Sequence, residues 1–95
     1  MDKKSFDYLS DAVEVARNDG FDKIELVHED KDVEIYFYKG NNGIGSLANE
    51  YRKHLWALTR KDLSQLKAKL NASKVSLQDY DHFGENARKL LITLA

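Results

Sequence analysis

Arg52, Lys53, Trp56 and Arg60 are the residues of this chain best suited to contact chemistry. On a helix at 100° per residue they fall within an arc of about 100°. That arc lies opposite a stripe of Leu47, Tyr51, Leu55 and Leu58, which itself spans only about 80°. Tryptophan and arginine are the types enriched at binding hot spots. The same pairing suits phosphate contact combined with base stacking. Arg52 and Trp56 are one turn apart, a spacing that permits a cation–π contact. The alternative is a central helix buried on two sides, with Trp56 packed under the chain's last helix.

Tyr36 and Tyr38 form a second candidate surface. In a strand they share the face away from Val33, Ile35 and Phe37, as a stacking platform, a protein contact, or aromatic cover beneath a helix. The histidines 28, 54 and 82 are the possible general bases. None has a nucleophile and an orienting acid at a recognisable local spacing. His54 falls within the apolar stripe and reads as a hydrogen-bonded residue at the edge of the core. His28, Glu29, Asp30, Asp32 and Glu34 form one cluster, in which Asp30, Asp32 and Glu34 begin like a calcium loop, but Ile35 occupies the sixth position, which needs glycine. Asp79, Asp81 and His82 supply at most three ligands. Both clusters read as solvated acids, so no metal and no other cofactor is expected. The glycines 40, 43 and 45 precede a helix start, yet they lack the P-loop spacing and its lysine. They read as a flexible connector.

Charge gives these groups a context. Net charge is −1 over 95 residues, which suggests neutrality. Residues 1–50 carry 6 basic and 12 acidic side chains, residues 51–74 carry 7 and 1, and residues 75–95 carry 2 and 3. An acidic half is therefore followed by a block of +6 containing Arg52, Lys53, Arg60, Lys61, Lys67, Lys69 and Lys74. Such a block attracts acidic protein surfaces or nucleic acid, or faces the acidic half of its own or another copy. Without cysteine there is no disulfide scaffold, thiolate zinc site or thiol nucleophile. No apolar run reaches the roughly 20 residues of a membrane helix, and the start reads as an amphipathic stretch rather than a leader.

The elements that must position these residues follow from periodicity. Phe6, Leu9, Val13 and Ala16 predict a helix over 5–18, capped by Ser5 and ended by Gly20. Lys23–His28 and Val33–Tyr38 alternate apolar and polar residues and predict a hairpin. A loop over 39–45 leads to a second helix over 47–58 capped by Ser46. Leu63, Leu66 and Leu70 are out of phase with that stripe. A break at Thr59, with Asp62 completing a capping box, therefore begins a third helix that ends near Asn71. Leu77, Tyr80, Gly84, Ala87, Leu91 and Leu94 recur at helical spacing and predict a last helix, with two pieces or a short strand at 74–78 as alternatives.

The expected architecture is one small α+β domain over 1–95: an N-terminal helix, a two-stranded antiparallel β-hairpin, then two to three helices packed on one face. The expected function is that of a cytoplasmic, non-enzymatic binding or regulatory protein, inhibitor-like. It would dock on a macromolecular partner, a protein with an acidic surface, through the Trp56 helix, with Tyr36 and Tyr38 as a second contact. Nucleic-acid binding through 51–74 and a charge-paired homo-oligomer are the alternatives; no membrane partner is expected.

Overall fold

Alternating apolar residues draw the chain into five strands rather than two. The computed structural model describes residues 1–94. Helix α1 (Lys3–Asn18) leads into β1 (Lys23–Glu29), β2 (Asp32–Lys39) and β3 (Asn42–Leu47). A 3-10 turn (Asn49–Tyr51), α2 (Arg52–Ala57) and α3 (Asp62–Leu70) follow, and β4 (Ala72–His82) and β5 (Glu85–Leu94) close the chain. The sheet has the order β3-β2-β1-β5-β4, antiparallel throughout. The α+β class stands; the two-stranded hairpin with a helical C-terminus is corrected to a five-stranded sheet with three helices.

Register explains the core. Val75, Ile92, Ile24, Phe37 and Ile44 form one row across the sheet, and Leu77, Leu90, Leu26, Ile35 and Ser46 form the next. Ile24, Leu26, Leu90 and Ile92 of these rows are fully buried. Leu9, Val13 and Ala16 of α1, Leu55 of α2 and Leu66 and Leu70 of α3 pack against them. The three helices thus cover one face, and no helix among the described residues is long and apolar enough to cross a membrane.

Three local corrections have physical reasons. Asp2, not Ser5, caps α1, accepting from the Ser5 N–H at 2.7 Å. Ser5 is instead buried, its Oγ 2.6 Å from Nδ1 of His54, which satisfies the edge-of-core histidine. The stretch 39–45 is not a loop before a helix. Gly40 takes φ +61° in a tight turn, and 42–47 returns as β3, leaving α2 only six residues long. Residues 76–94 are not a helix either. Phe83 and Gly84 both adopt left-handed backbone, φ +52° and +84°, the geometry that a two-residue hairpin turn requires. The break before α3 is as expected: Asp62 Oδ2 accepts from the Thr59 N–H at 2.9 Å, and Asn71 ends the helix at φ +52°.

Candidate functional site at the turn end of the sheet

The third row on the helix side of the sheet turns polar. Asp79 pairs with Arg88, Arg88 with His28 and His28 with Val33. Trp56 of α2 lies over this row. Its indole N–H donates to Nδ1 of His28 at 2.6 Å, and the Arg88 guanidinium sits 4.8 Å from its ring centroid. Arg88 also donates to the carbonyls of Leu55 at 3.1 Å, Trp56 at 3.4 Å and Leu58 at 2.8 Å. These carbonyls lie at the C-terminal end of α2 and just beyond it, where only Leu55 also accepts a backbone N–H, that of Leu58 at 3.4 Å, and a cation is the favoured group there. The guanidinium finishes on both oxygens of Asp79, at 2.6 and 3.1 Å, and that contact holds the Asp79 carboxyl below its ordinary value. Trp56, Asp79, Tyr80, Asn86, Ala87 and Arg88 line an open groove of about 420 Å³ beside this stack.

The cations expected around Trp56 are placed elsewhere. Arg52 donates to the Lys31 carbonyl and to Asn49 Oδ1. Arg60 donates to the Leu77 carbonyl at 2.9 Å, and Lys53 is exposed. Trp56 is half-buried, and its cation–π partner is Arg88 rather than Arg52. Arg88 escaped notice because 76–94 reads as a helix, and only the strand register brings positions 28, 79 and 88 together.

The two acidic clusters also meet. His82 Nδ1 is 2.8 Å from Glu29 Oε2, and its Nε2 is 3.7 Å from Asp30 Oδ1. The β1–β2 and β4–β5 turns therefore stand side by side. Among the described residues no three His, Cys, Asp or Glu side chains are grouped to hold a metal ion. Phe83 projects from the tip, 92% exposed, with its ring edge-on to His82 at 4.7 Å. A bulky residue with positive φ and no burial is a rare combination, and such strain concentrates at functional positions. Phe83 fits none of the apolar spacings, and its only sequence signal is the adjacent Gly84.

Tyr36 and Tyr38 lie on the uncovered face. Their rings stack with centroids 6.2 Å apart and cover Gly45 and Gly43 of the neighbouring strand. Tyr36 donates to Glu34, which pushes its hydroxyl up to about 12, and Tyr38 donates to Glu25 at 3.3 Å. With Val27, Glu29 and Lys89 they border a shallow acidic groove. The pair thus sits far along the sheet from Trp56 and on its other side. No protein-family model, curated protein or solved structure matches the chain.

Proposed function

We propose that this chain is a non-enzymatic, cytoplasmic protein-binding module that docks through the turn end of its sheet. The observation that carries the reading is Phe83, an aromatic side chain held almost wholly in solvent on a left-handed backbone. It stands at the tip of a hairpin that the Asp79–Arg88 pair and Trp56 brace from behind. Asp81, Glu85, Glu29 and Asp30 surround the tip. The fitting partner is a protein with an apolar socket for one aromatic ring and basic side chains on its rim. Strain and exposure at an anchor have a simple use: the hairpin turn fixes the backbone beneath the ring, so the ring is presented before contact and the backbone has little freedom left to lose on binding.

The test is a photo-crosslinking phenylalanine analogue at position 83, expressed in the native host. One discrete covalent adduct is expected there, and none from the same analogue at Lys3, which is exposed on α1. Phe83→Gly should abolish non-covalent capture of the protein so identified. Identical adducts from both positions, or none from either, would remove this reading. Salt-sensitive retention of an oligonucleotide would replace it with nucleic-acid binding through Lys53, Lys61, Lys67 and Lys69.

A further inference from the structure

We infer that β3 is a pairing edge for a second copy of this chain, joined in a two-fold antiparallel ladder centred on Gly45. The hydrogen-bond phase of β3 carries the first step. Ala48 N–H donates to the Val33 carbonyl at 2.8 Å, directly beyond the Glu34–Leu47 pair. Hydrogen-bonded pairs recur at every second residue of an antiparallel ladder. Asn42, Ile44 and Ser46 therefore direct their N–H and C=O groups to β2, while Gly43, Gly45 and Leu47 direct theirs outward. All six residues of β3 are exposed.

Sheets ordinarily protect such an edge with charge, proline, a bulge or a covering element. The far edge follows that rule: β4 carries Lys74, Asp79 and Asp81 and is irregular between Ala72 and Lys74. The edge of β3 has neither charge nor proline along Asn42–Leu47. Its two large side chains are both in solvent, Ile44 at 64% and Leu47 at 66% exposure.

Side-chain complementarity selects a second copy as the occupant. A two-fold axis normal to the sheet sets one residue against itself, and only Gly45 as that residue uses all three outward-facing positions. Leu47 of one copy then lies opposite Gly43 of the other. Gly43 has no side chain of its own and is roofed by the Tyr38 ring, so the leucine meets an aromatic edge rather than a clash. Ile44 lies opposite Ser46, on the side where Val15 of α1 stands half-exposed over the same groove. The ten-stranded sheet would leave both Phe83 tips free, and the inference stands independently of the docking reading.

The native chain has no cysteine, which makes the register directly readable. In this ladder Ile44 and Ser46 of opposite copies form a non-hydrogen-bonded pair with Cα atoms about 4.5 Å apart, within disulfide reach. The double variant Ile44→Cys/Ser46→Cys should oxidise to a covalent dimer, whereas Ser76→Cys/Gln78→Cys on the β4 edge should stay monomeric. Sedimentation of the unmodified chain at sub-millimolar concentration should give twice its 10.9 kDa mass, and Ile44→Lys should weaken association at least tenfold. Amide exchange adds a signature of the backbone pairing. Gly43, Gly45 and Leu47 should become protected as concentration rises, while Ile44 and Ser46 are protected at every concentration. A persistent monomer, equal cross-linking at both edges, or protection without this alternation would overturn the inference.

Discussion

The indole N–H of Trp56 donates to Nδ1 of His28 at 2.6 Å, with the two rings edge to face at 5.7 Å. An accepting Nδ1 carries no proton, so the contact selects the neutral imidazole. Burial, reinforced by the nearby positive charge of Arg52, holds the His28 pKa below its ordinary 6.5. The stabilisation is therefore fully present above pH 6.5 and is lost as the pH falls through the depressed folded value, because the unfolded chain takes up the proton first. Urea midpoints and Trp56 emission should decline together over that window. His28→Gln, whose side-chain oxygen can accept the same N–H without titrating, should flatten both profiles. Parallel profiles for the two proteins would show that His28 does not set the dependence.

Arg88 and Asp79 share an ion pair but not its importance. The Arg88 side chain is largely buried and holds three carbonyls at the end of α2, while Asp79 is about half-exposed. Arg88→Met should cost about 2–4 kcal/mol, since buried carbonyls and a carboxylate lose their donor together. Asp79→Asn should cost no more than about 1 kcal/mol, because solvent screens a half-exposed partner. Chemical denaturation of the two variants reads the difference. Near-equal losses would place the stabilisation in the ion pair rather than in the helix end.

How much of this was legible in the amino-acid order depends on the range of the signal. The α1 stripe, the β1–β2 alternation, the break at Thr59 and the stop at Asn71 are local and were readable. β3 was hidden because Gly43 and Gly45 erase half of its alternation, and the side chains that restore it, Tyr38 and Tyr36, belong to another strand. The last hairpin was hidden by coincidence: Leu77, Tyr80, Gly84 and Ala87 satisfy helical spacing, although Leu77 pairs toward the core and Tyr80 toward the open face. With that hairpin went Arg88 and Phe83, and so the composition of the candidate site. Trp56 was the one member assigned to a contact surface, because its type and its position opposite a local apolar stripe need no tertiary information; His28, Asp79 and His82 were noticed only as possible bases or ligands.

Phe83 should separate stability from recognition. Its φ of +52° is strained for a side chain with a Cβ, and its ring contributes almost no burial. Phe83→Gly should therefore raise stability by about 0.5–1 kcal/mol. The same change removes the proposed anchor, so thermal stability should rise while partner binding falls. A destabilised Phe83→Gly would show that the ring packs on His82 strongly enough to be structural.

Gly45 and Tyr36 should behave as a coupled pair. A Cβ on Gly45 would lie 2.5 Å from Cε1 of Tyr36, closer than real contacts allow, so the ring must swing away. Overpacking of this kind costs roughly 1–3 kcal/mol. It outweighs the gain of about 0.5–1 kcal/mol normally expected from replacing a strand glycine by alanine, and Gly45→Ala should be net destabilising. Removing the ring reverses the sign. In a Tyr36→Ala background nothing opposes the new methyl group, and the same substitution should become neutral or stabilising. The cycle of four proteins, followed by urea denaturation at concentrations low enough to exclude association, gives the interaction energy directly. Additive effects would mean that the tyrosine does not occupy the space above the glycine in solution.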